Sequence, residues 1–345
     1  MLYVSNRGKS ASMAEIVMDL REQLRPSRPQ QALLCDMDLQ FRKMFFPLGF
    51  AVEILTNRYE VLEAAEASFG HMKNRHGSAR LEVRIGVSPS ANRPIPPPPV
   101  RREYNHLYTM VADPENQAVM DLLTGANFVW LNEAALSDEL YLRHNFLEKV
   151  IYLLLGATVV TDIHAGCIGK DGKGVLLCGN SGAGKSTLSY ACARVGWTYT
   201  SDDTCYLINA SDAPRVIGHA HRVRFRPAAK NFFPELQDRP ITPRMEGKPS
   251  IEVPVSELPP MHTSVEACVS AVVYLRRSRN AKSALIPLPA GSATRQMSDE
   301  MYSAGEIKRK HQRDLEKFAE IPTYELHYYS LEEAICELDQ LIAAL

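Results

Sequence analysis

The residues best suited to chemistry lie between 175 and 191, where glycines, a lysine and a serine follow a fixed spacing. Gly179, Gly184, Lys185 and Ser186 satisfy the pattern G-x-x-x-x-G-K-[ST], which is typical of loops that hold the phosphates of a nucleoside triphosphate. Glycine tolerates positive φ and lets the backbone approach an anion closely. Successive N–H groups then form a concave nest at a helix N-terminus. The residues expected to bind ATP are Gly179, Asn180, Ser181, Gly182, Ala183, Gly184, Lys185, Ser186 and Thr187.

Two side chains of this loop add charge and metal chemistry. The ammonium of Lys185 can neutralise the β- and γ-phosphates, and the hydroxyl of Ser186 can bind Mg²⁺, a hard cation that prefers oxygen ligands. The alternative is a glycine-rich turn that binds nothing. The flanking sequence disfavours it, because an apolar strand-like stretch, 175–178, precedes the loop and a helical segment, 186–195, follows it. The pattern predicts ATP and Mg²⁺ but does not identify the phosphate acceptor.

Asp202 and Asp203 are adjacent carboxylates that follow a strand-like stretch, residues 197–200. Neighbouring side chains on a strand point to opposite faces, so the two acids can take different roles. One can bind Mg²⁺, directly or through water, and the other can accept a proton from an attacking hydroxyl. The alternative is an acidic turn or helix cap without a chemical role.

His164 lies 15 residues before Gly179. The stretch between them contains Lys-Asp-Gly-Lys-Gly at 170–174, which has the composition of a tight β-turn. A hairpin at that turn would return His164 to the end of the sheet that carries the glycine-rich loop. A lone histidine is more often structural, but the hairpin favours a functional role here.

A further candidate site is a row of three basic residues, Arg222, Arg224 and Arg226, which alternate with Val223 and Phe225. In an extended strand the three guanidinium groups would share one face, where they could bind a phosphate or an acidic substrate. A solvated strand face is the alternative. No helix presents these arginines to a DNA groove, so nucleic acid is not an expected partner. Weaker candidates are Lys248 for a phosphate, Glu252 for a second metal ion, and Glu246.

The elements that must position these residues follow from hydrophobic periodicity. The sequence predicts strands at 52–56, 81–87, 175–178, 205–208 and 271–275. It predicts helices at 60–69, 140–155, 186–195 and 300–318, and a terminal helix that opens with the capping box Ser330-Leu331-Glu332-Glu333. Another capping-box-like stretch, Ser12-Met13-Ala14-Glu15, precedes Ile16, Val17 and Leu20.

Three parts are expected along the chain. Residues 1–40 are an N-terminal segment that can stay flexible. Residues 41–150 are an α+β domain with a proline-rich linker near 94–99, where four consecutive prolines favour an extended connector. Residues 151–345 are the domain that carries the glycine-rich loop.

Composition limits the class of protein. Hydrophobic residues make up 45% of the chain, charged residues 23%, and the formal charge is −1, so no global field attracts nucleic acid or an anionic membrane. Seven cysteines without a C-x-x-C motif disfavour a disulfide framework or a structural zinc site. The longest apolar run, 150–160, is too short to cross a bilayer, and no apolar signal segment is visible. We therefore expect a cytoplasmic protein without a membrane partner.

Together, His164-Ala165-Gly166, the hairpin, the glycine-rich loop and the Asp202–Asp203 pair resemble the catalytic domain of HPr kinase/phosphorylase. They resemble more closely the broader set of HPr-kinase-like serine kinases, over about residues 155–275. The resemblance implies a mixed α/β fold, with a P-loop domain related to phosphoenolpyruvate carboxykinase and a smaller α+β N-terminal domain. It implies Asp203 as the base toward a substrate serine, with Asp202 and His164 in support. It also implies a protein or peptide phosphoacceptor and, by analogy, self-association.

The sequence departs from that family after the aspartate pair. The acidic signature with glycine and arginine is absent, and residues 221–226 and 244–248 stand in its place, which counts against the reverse phosphorylase reaction and against HPr as the acceptor. The resulting hypothesis is ATP- and Mg²⁺-dependent phosphoryl transfer to a hydroxyl, in first place a serine of a protein or peptide. The alternatives are a small-molecule kinase, which a closed pocket would favour, and a nucleotide-sensing module without transfer.

Overall fold

The computed structural model describes residues 37–77, 81–90, 94–242, 249–278, 283–301 and 305–345. The helix predicted near Ser12 and the weak candidates Glu246 and Lys248 lie outside these ranges. Within them, the chain forms two large mixed sheets and a short two-stranded ribbon, with helices packed against the sheets. This confirms the mixed α/β class expected from the sequence.

The first sheet has seven strands: β1 Phe41–Phe45, β2 Val52–Thr56, β3 Leu81–Ser88, β4 Val100–Tyr104, β5 Leu107–Asp113, β6 Asn116–Asp121 and β7 Asn127–Asn132. Their spatial order is β1-β2-β3-β7-β6-β5-β4. Strands β2, β3 and β7 are parallel neighbours, and the other pairs are antiparallel. The predicted strands at 52–56 and 81–87 are therefore confirmed, and they are parallel because a helix connects them.

Helices α1 (Tyr59–Phe69), α2 (Glu139–Leu142) and α3 (Glu148–Thr158) cover one face of this sheet. A π-helical turn, Arg143–Leu147, joins α2 to α3, so the helix predicted at 140–155 is interrupted. At this turn the buried Asn145 side chain donates a hydrogen bond of 3.1 Å to the Tyr141 carbonyl. Among the described residues, no helix combines the length and apolar character needed to cross a membrane.

The second sheet has nine strands: β8 Val160–Ile163, β9 Ala165–Lys170, β10 Lys173–Cys178, β11 Thr198–Ser201, β12 Cys205–Ile208, β13 Arg215–Gly218, β16 Glu266–Arg277, β17 Ala284–Pro287 and β18 Thr323–Tyr328. The separate ribbon pairs β14 (Arg222–Phe225) with β15 (Ile251–Pro254). Strands β10, β16 and β18 are parallel neighbours at the centre of the sheet. Their carboxyl ends, near Cys178, Arg277 and Tyr328, therefore meet at one edge.

The second sheet lies between two helical layers. Helices α4 (Lys185–Arg194) and α7 (Leu331–Ala344) cover one face, and α5 (Ser292–Asp299) and α6 (Gly305–Leu315) cover the other. Alternate side chains of β10 lie in the hydrophobic cores on opposite faces of the sheet. Leu177 packs on the side of α4, and Leu176 packs on the side of α5. The predicted start of the terminal helix is confirmed, because the Ser330 side chain accepts a hydrogen bond of 3.1 Å from the Glu333 N–H. The Glu333 side chain accepts a hydrogen bond from Ser283, so only the Ser330 half of the capping box is observed.

The two sheets are joined by a common hydrophobic core. The core of the first sheet includes Tyr206, Ile208 and Ile217 of the second sheet and Ile307 of α6. Lys310 of α6 donates hydrogen bonds to the last carbonyls of α3, where a cation also complements the helix dipole. The boundary predicted at residue 150 stays a prediction.

Candidate functional site

The glycine-rich loop predicted from the sequence, residues 179–184, connects the carboxyl end of β10 to the first residue of α4. Gly179, Gly182 and Gly184 have φ of 141°, 92° and 103°, values that L side chains rarely adopt. A Cβ on Gly184 would also collide with the hydroxyl of Tyr328, which donates a hydrogen bond of 2.8 Å to the Ala183 carbonyl. Glycine is thus required at these positions, and the backbone N–H groups are left free of side-chain bulk at a helix N-terminus.

Lys185 is folded beneath this loop. Its side chain is buried, with the residue 5% exposed, and its Nζ donates a hydrogen bond of 2.7 Å to the Gly179 carbonyl. The same Nζ lies 2.9 Å from His164 Nε2. Burial lowers the pKa of Lys185, an effect that the nearby Asp203 partly offsets. A buried ammonium beside backbone N–H groups is suited to an anionic ligand.

His164 lies beside the glycine-rich loop, as expected from the predicted hairpin. Strands β9 and β10 pair so that Ala165 lies opposite Cys178, and the turn between them places Asp171 and Gly172 at positive φ. His164 precedes β9 and therefore stands beside the loop that follows β10. The hairpin prediction is confirmed.

Lys185, His164 and Asp203 are connected by two successive side-chain contacts. The Lys185 ammonium can only donate, so this contact requires Nε2 of His164 as the acceptor, which in a neutral ring corresponds to the tautomer with its proton on Nδ1. That Nδ1 lies 3.6 Å from Asp203 Oδ1, and both side chains are about half exposed. The arrangement places one half-exposed carboxylate beside the histidine that contacts Lys185.

Asp202 occupies a different environment from its neighbour. It is buried, at 6% exposed, and its carboxylate lies 3.0 Å from the Tyr199 hydroxyl and accepts a hydrogen bond of 3.1 Å from the Arg224 N–H. Burial, followed by the charge of Asp203, raises the pKa of Asp202 to about 6. The two acids therefore differ in exposure and in partners. They follow the end of β11 and are not part of a strand, so this difference comes from their tertiary surroundings and not from strand alternation, and their chemical roles stay predictions.

The residues predicted to bind Mg²⁺ are Ser186 and Asp202. The Ser186 hydroxyl lies 3.5 Å from the Asp202 carbonyl oxygen, whereas the Asp202 carboxylate is bonded to protein groups. In the described ranges, no group of three or more His, Cys, Asp and Glu side chains is arranged to hold a metal ion. Mg²⁺ is commonly bound through one or two side chains together with substrate phosphates, so a Mg²⁺ site at Ser186 and Asp202 stays a prediction.

The arginine row divides between two positions. Arg222 and Arg224 share one half-buried face of β14, opposite the buried Val223, and both contact Glu252 on β15. Arg226 follows the strand, and its Nη2 lies 3.5 Å from Ser181 Oγ of the glycine-rich loop. Arg226 is thus the member of the row nearest the predicted phosphate site, which alternation alone could not indicate. Lys248 lies outside the described residues.

A cavity of about 410 Å³ adjoins the site. His164 and Thr204 line it, so it reaches the neighbourhood of Asp203, and Glu300 beside it acts electrostatically on Lys185. Sequence reasoning did not single out Glu300, because nothing in the local pattern links the end of α5 to the loop. The walls come from both sheets and from the helices between them, and include Tyr108, Leu122, Tyr152, Met297 and Ile307.

Comparisons with known proteins found similarity to solved structures but not to protein-family models or curated proteins. No protein-family model matches the chain, and no curated protein matches it. Among solved structures, the chain is similar to the Hpr(Ser) kinase/phosphatase from Coxiella burnetii, with 14% identity and a TM-score of 0.27. The match covers 54% of this chain and 99% of that one. A TM-score this low adds no support of its own, and the chemistry of the site has to be judged from this chain's residues.

Proposed function

We propose that this chain transfers the γ-phosphoryl group of ATP to a hydroxyl acceptor in the presence of Mg²⁺. The observation that carries the proposal is the line of Lys185, His164 and Asp203, which joins a phosphate-binding type of loop to an accessible carboxylate. Phosphoryl transfer needs charge compensation, alignment and a group that receives the acceptor proton. These three requirements correspond to neighbouring residues of this site.

The nucleotide would be held by the loop backbone and by Lys185. Lys185 Nζ contacts the Gly179 carbonyl and His164, and it would exchange part of this hydrogen bonding for phosphate oxygens. Arg226, beside Ser181, supplies a second cation at the rim of the loop. Ser186 and Asp202 would hold Mg²⁺, which when bound neutralises charge on the phosphates.

Asp203 is the proposed base. Its carboxylate is half exposed, so an acceptor hydroxyl can approach it and pass it a proton as the new P–O bond forms. In this tautomer His164 Nδ1–H faces the same carboxylate and would orient it if the two atoms approached to hydrogen-bond distance. The 3.6 Å separation exceeds a normal hydrogen bond, so this contact would have to shorten for the histidine to act on the carboxylate.

A serine of a protein or peptide is the acceptor class that we favour. A small hydroxylated molecule is a second candidate, favoured by the cavity of about 410 Å³ beside His164, which lies within the size range of small-ligand pockets. The two candidates use the same catalytic residues and differ only in what fills the cavity.

The function can be tested by incubating the full chain with γ-labelled ATP, Mg²⁺ and two acceptor sets, a serine-containing peptide library and a panel of hydroxylated metabolites. We expect label in an acceptor from one set, dependent on Mg²⁺ and lost in Lys185→Met. ATP binding measured by calorimetry without label in any acceptor would favour a nucleotide-sensing module. Absence of ATP binding would refute the proposal.

A further inference from the structure

A second cavity, of about 400 Å³, shares Tyr152 with the cavity beside the candidate site, but none of the described residues that line it belongs to the glycine-rich loop. Its walls come from the end of α1, from the π-helical turn and α3, and from one end of the β14–β15 ribbon. Its volume lies within the range of small-ligand pockets, so the groups that line it indicate what can bind there.

Arg222 lines this second cavity, at the opposite end of the arginine row from Arg226. Among the described residues its guanidinium makes one ion-pair contact, 3.8 Å from Glu252, and no side-chain hydrogen bond. Glu252 is held more closely by Arg224, at 2.6 Å. An arginine carries five N–H donors in a planar fork, so the described protein groups leave the hydrogen-bonding capacity of Arg222 unused.

Two histidines, His71 and His221, line the same cavity, with their ring centroids 4.5 Å apart. Neither imidazole is hydrogen-bonded to a described residue. Partial burial, followed by the charge of Arg222, lowers the pKa of both rings, to about 4 for His221. Both rings are therefore neutral at pH 7, and each retains one N–H that can donate a hydrogen bond.

The other charged groups of the cavity wall are already bonded to protein. The Glu148 carboxylate accepts a hydrogen bond of 2.9 Å from the Ser68 hydroxyl and lies 3.2 Å from His144 Nδ1. The Arg143 guanidinium donates hydrogen bonds of 2.8 Å to Ser68 and 3.0 Å to Glu139, so it is fixed in place and adds positive charge. The cavity therefore combines uncompensated positive charge with N–H donors that lack a protein acceptor, which suits an anionic ligand.

We propose that this cavity binds a phosphate group, free or as a monoester of a small molecule, through Arg222, His71 and His221. A guanidinium can donate two parallel hydrogen bonds to an oxyanion, and each imidazole can add one. A phosphate monoester offers three acceptor oxygens in a tetrahedral arrangement, whereas a carboxylate offers two in one plane. This inference is independent of the proposed enzymatic function, because it uses none of the residues assigned to phosphoryl transfer.

The site can be tested on the full chain with diethyl pyrocarbonate, which acylates neutral imidazoles, followed by peptide mass spectrometry of each histidine. His71 and His221 are accessible to solvent, so both should react. With inorganic phosphate at constant ionic strength we expect both reactions to slow with one shared midpoint concentration, while the exposed His262 is unaffected. Phosphate bound at the glycine-rich loop would instead be reported by His164, which is quantified in the same experiment.

Substitutions identify the groups that bind phosphate. Arg222→Gln removes the charged donor and should raise the midpoint at His71 and His221 by about tenfold or more. The matched control Arg42→Gln changes an exposed arginine of β1 and should leave the midpoint unchanged. His221→Asn removes one imidazole and should raise the midpoint measured at His71.

Each outcome decides the proposal. Absence of protection at His71 and His221, or an unchanged midpoint in a folded Arg222→Gln, would overturn it. If Arg222→Gln does not fold, an unchanged midpoint at His71 in His221→Asn would overturn it instead. Equal protection by acetate at the same ionic strength would indicate charge screening and would also overturn it. Glycerol phosphate acting at a lower concentration than inorganic phosphate would support a monoester ligand, and equal midpoints would support free phosphate.

Discussion

At the scale of single residues, the site depends on the contrast between two adjacent acids. Asp202 is buried and bonded to Tyr199 and the Arg224 N–H, whereas Asp203 is half exposed beside His164. The sequence was sufficient to select the pair, but strand alternation is not the reason that the two face different surroundings. It could not indicate the partners of Asp202, because Arg224 lies 22 residues away on a ribbon whose position depends on tertiary packing.

The pKa of Asp202 leads to a pH-dependent stability difference. Burial raises this pKa from 3.8 to about 6, so folding favours the protonated form and the ionised form costs up to about 3 kcal/mol. The cost is absent below the unfolded pKa and is fully present above the folded pKa. We therefore predict that the stability of Asp202→Asn relative to the unaltered chain increases between about pH 4 and about pH 7.

Urea unfolding of both proteins at several pH values measures this difference directly. The comparison with the unaltered chain removes the contributions of carboxylates that do not interact with Asp202, and the double variant Asp202→Asn/Asp203→Asn measured against Asp203→Asn removes that of the neighbouring Asp203. A difference that does not change with pH would show that Asp202 is not protonated preferentially in the folded state.

At the scale of elements, the site is built from a hairpin, a loop and a helix that are continuous along the chain. The β9–β10 hairpin, the glycine-rich loop and α4 were predictable because their signals are local: a turn composition, glycines at fixed spacing and an apolar strand. The long π-helical interruption before α3 was not predictable from its apolar stripe, because a buried Asn145 that bonds to the Tyr141 carbonyl leaves no periodic signal.

Two glycines at similar φ provide a test of the loop. Gly184 has φ 103° and is in contact with Tyr328, while Gly196, at the end of α4, has φ 97° and open space around it. Substitution by alanine should cost about 1–2 kcal/mol of backbone strain at either position. Only Gly184→Ala must also displace the Tyr328 hydroxyl, so we expect this variant alone to lose ATP affinity in calorimetry. Equal ATP affinity in the two variants would contradict the proposed role of the loop.

At the scale of the whole molecule, the two sheets are joined by a common core. Ile307 of α6 packs into the core of the first sheet, and the cavity beside the site has walls from both sheets. The sequence predicted two units near a boundary at 150, but it could not reveal that their apolar faces pack together, because such contacts join residues far apart in the chain, as Ile307 does with the first sheet.

The shared core predicts that the two sheets unfold together. Ile307→Ala should lower the free energy of unfolding by about 2–5 kcal/mol, within a single transition measured by both circular dichroism and Trp fluorescence. The control Ile286→Ala removes an exposed side chain and should change stability by no more than about 0.5 kcal/mol. Two separate transitions in Ile307→Ala would contradict the shared core.

The most direct measurement is the single-turnover rate of label transfer from γ-labelled ATP to the identified acceptor in Asp203→Asn. The control Asp212→Asn changes an exposed aspartate in the turn between β12 and β13. The proposed base role predicts a rate lower by about 10²–10⁴-fold in Asp203→Asn, with ATP affinity retained and the control unaffected. A transfer rate in Asp203→Asn equal to that of the unaltered chain would contradict the catalytic role of this carboxylate.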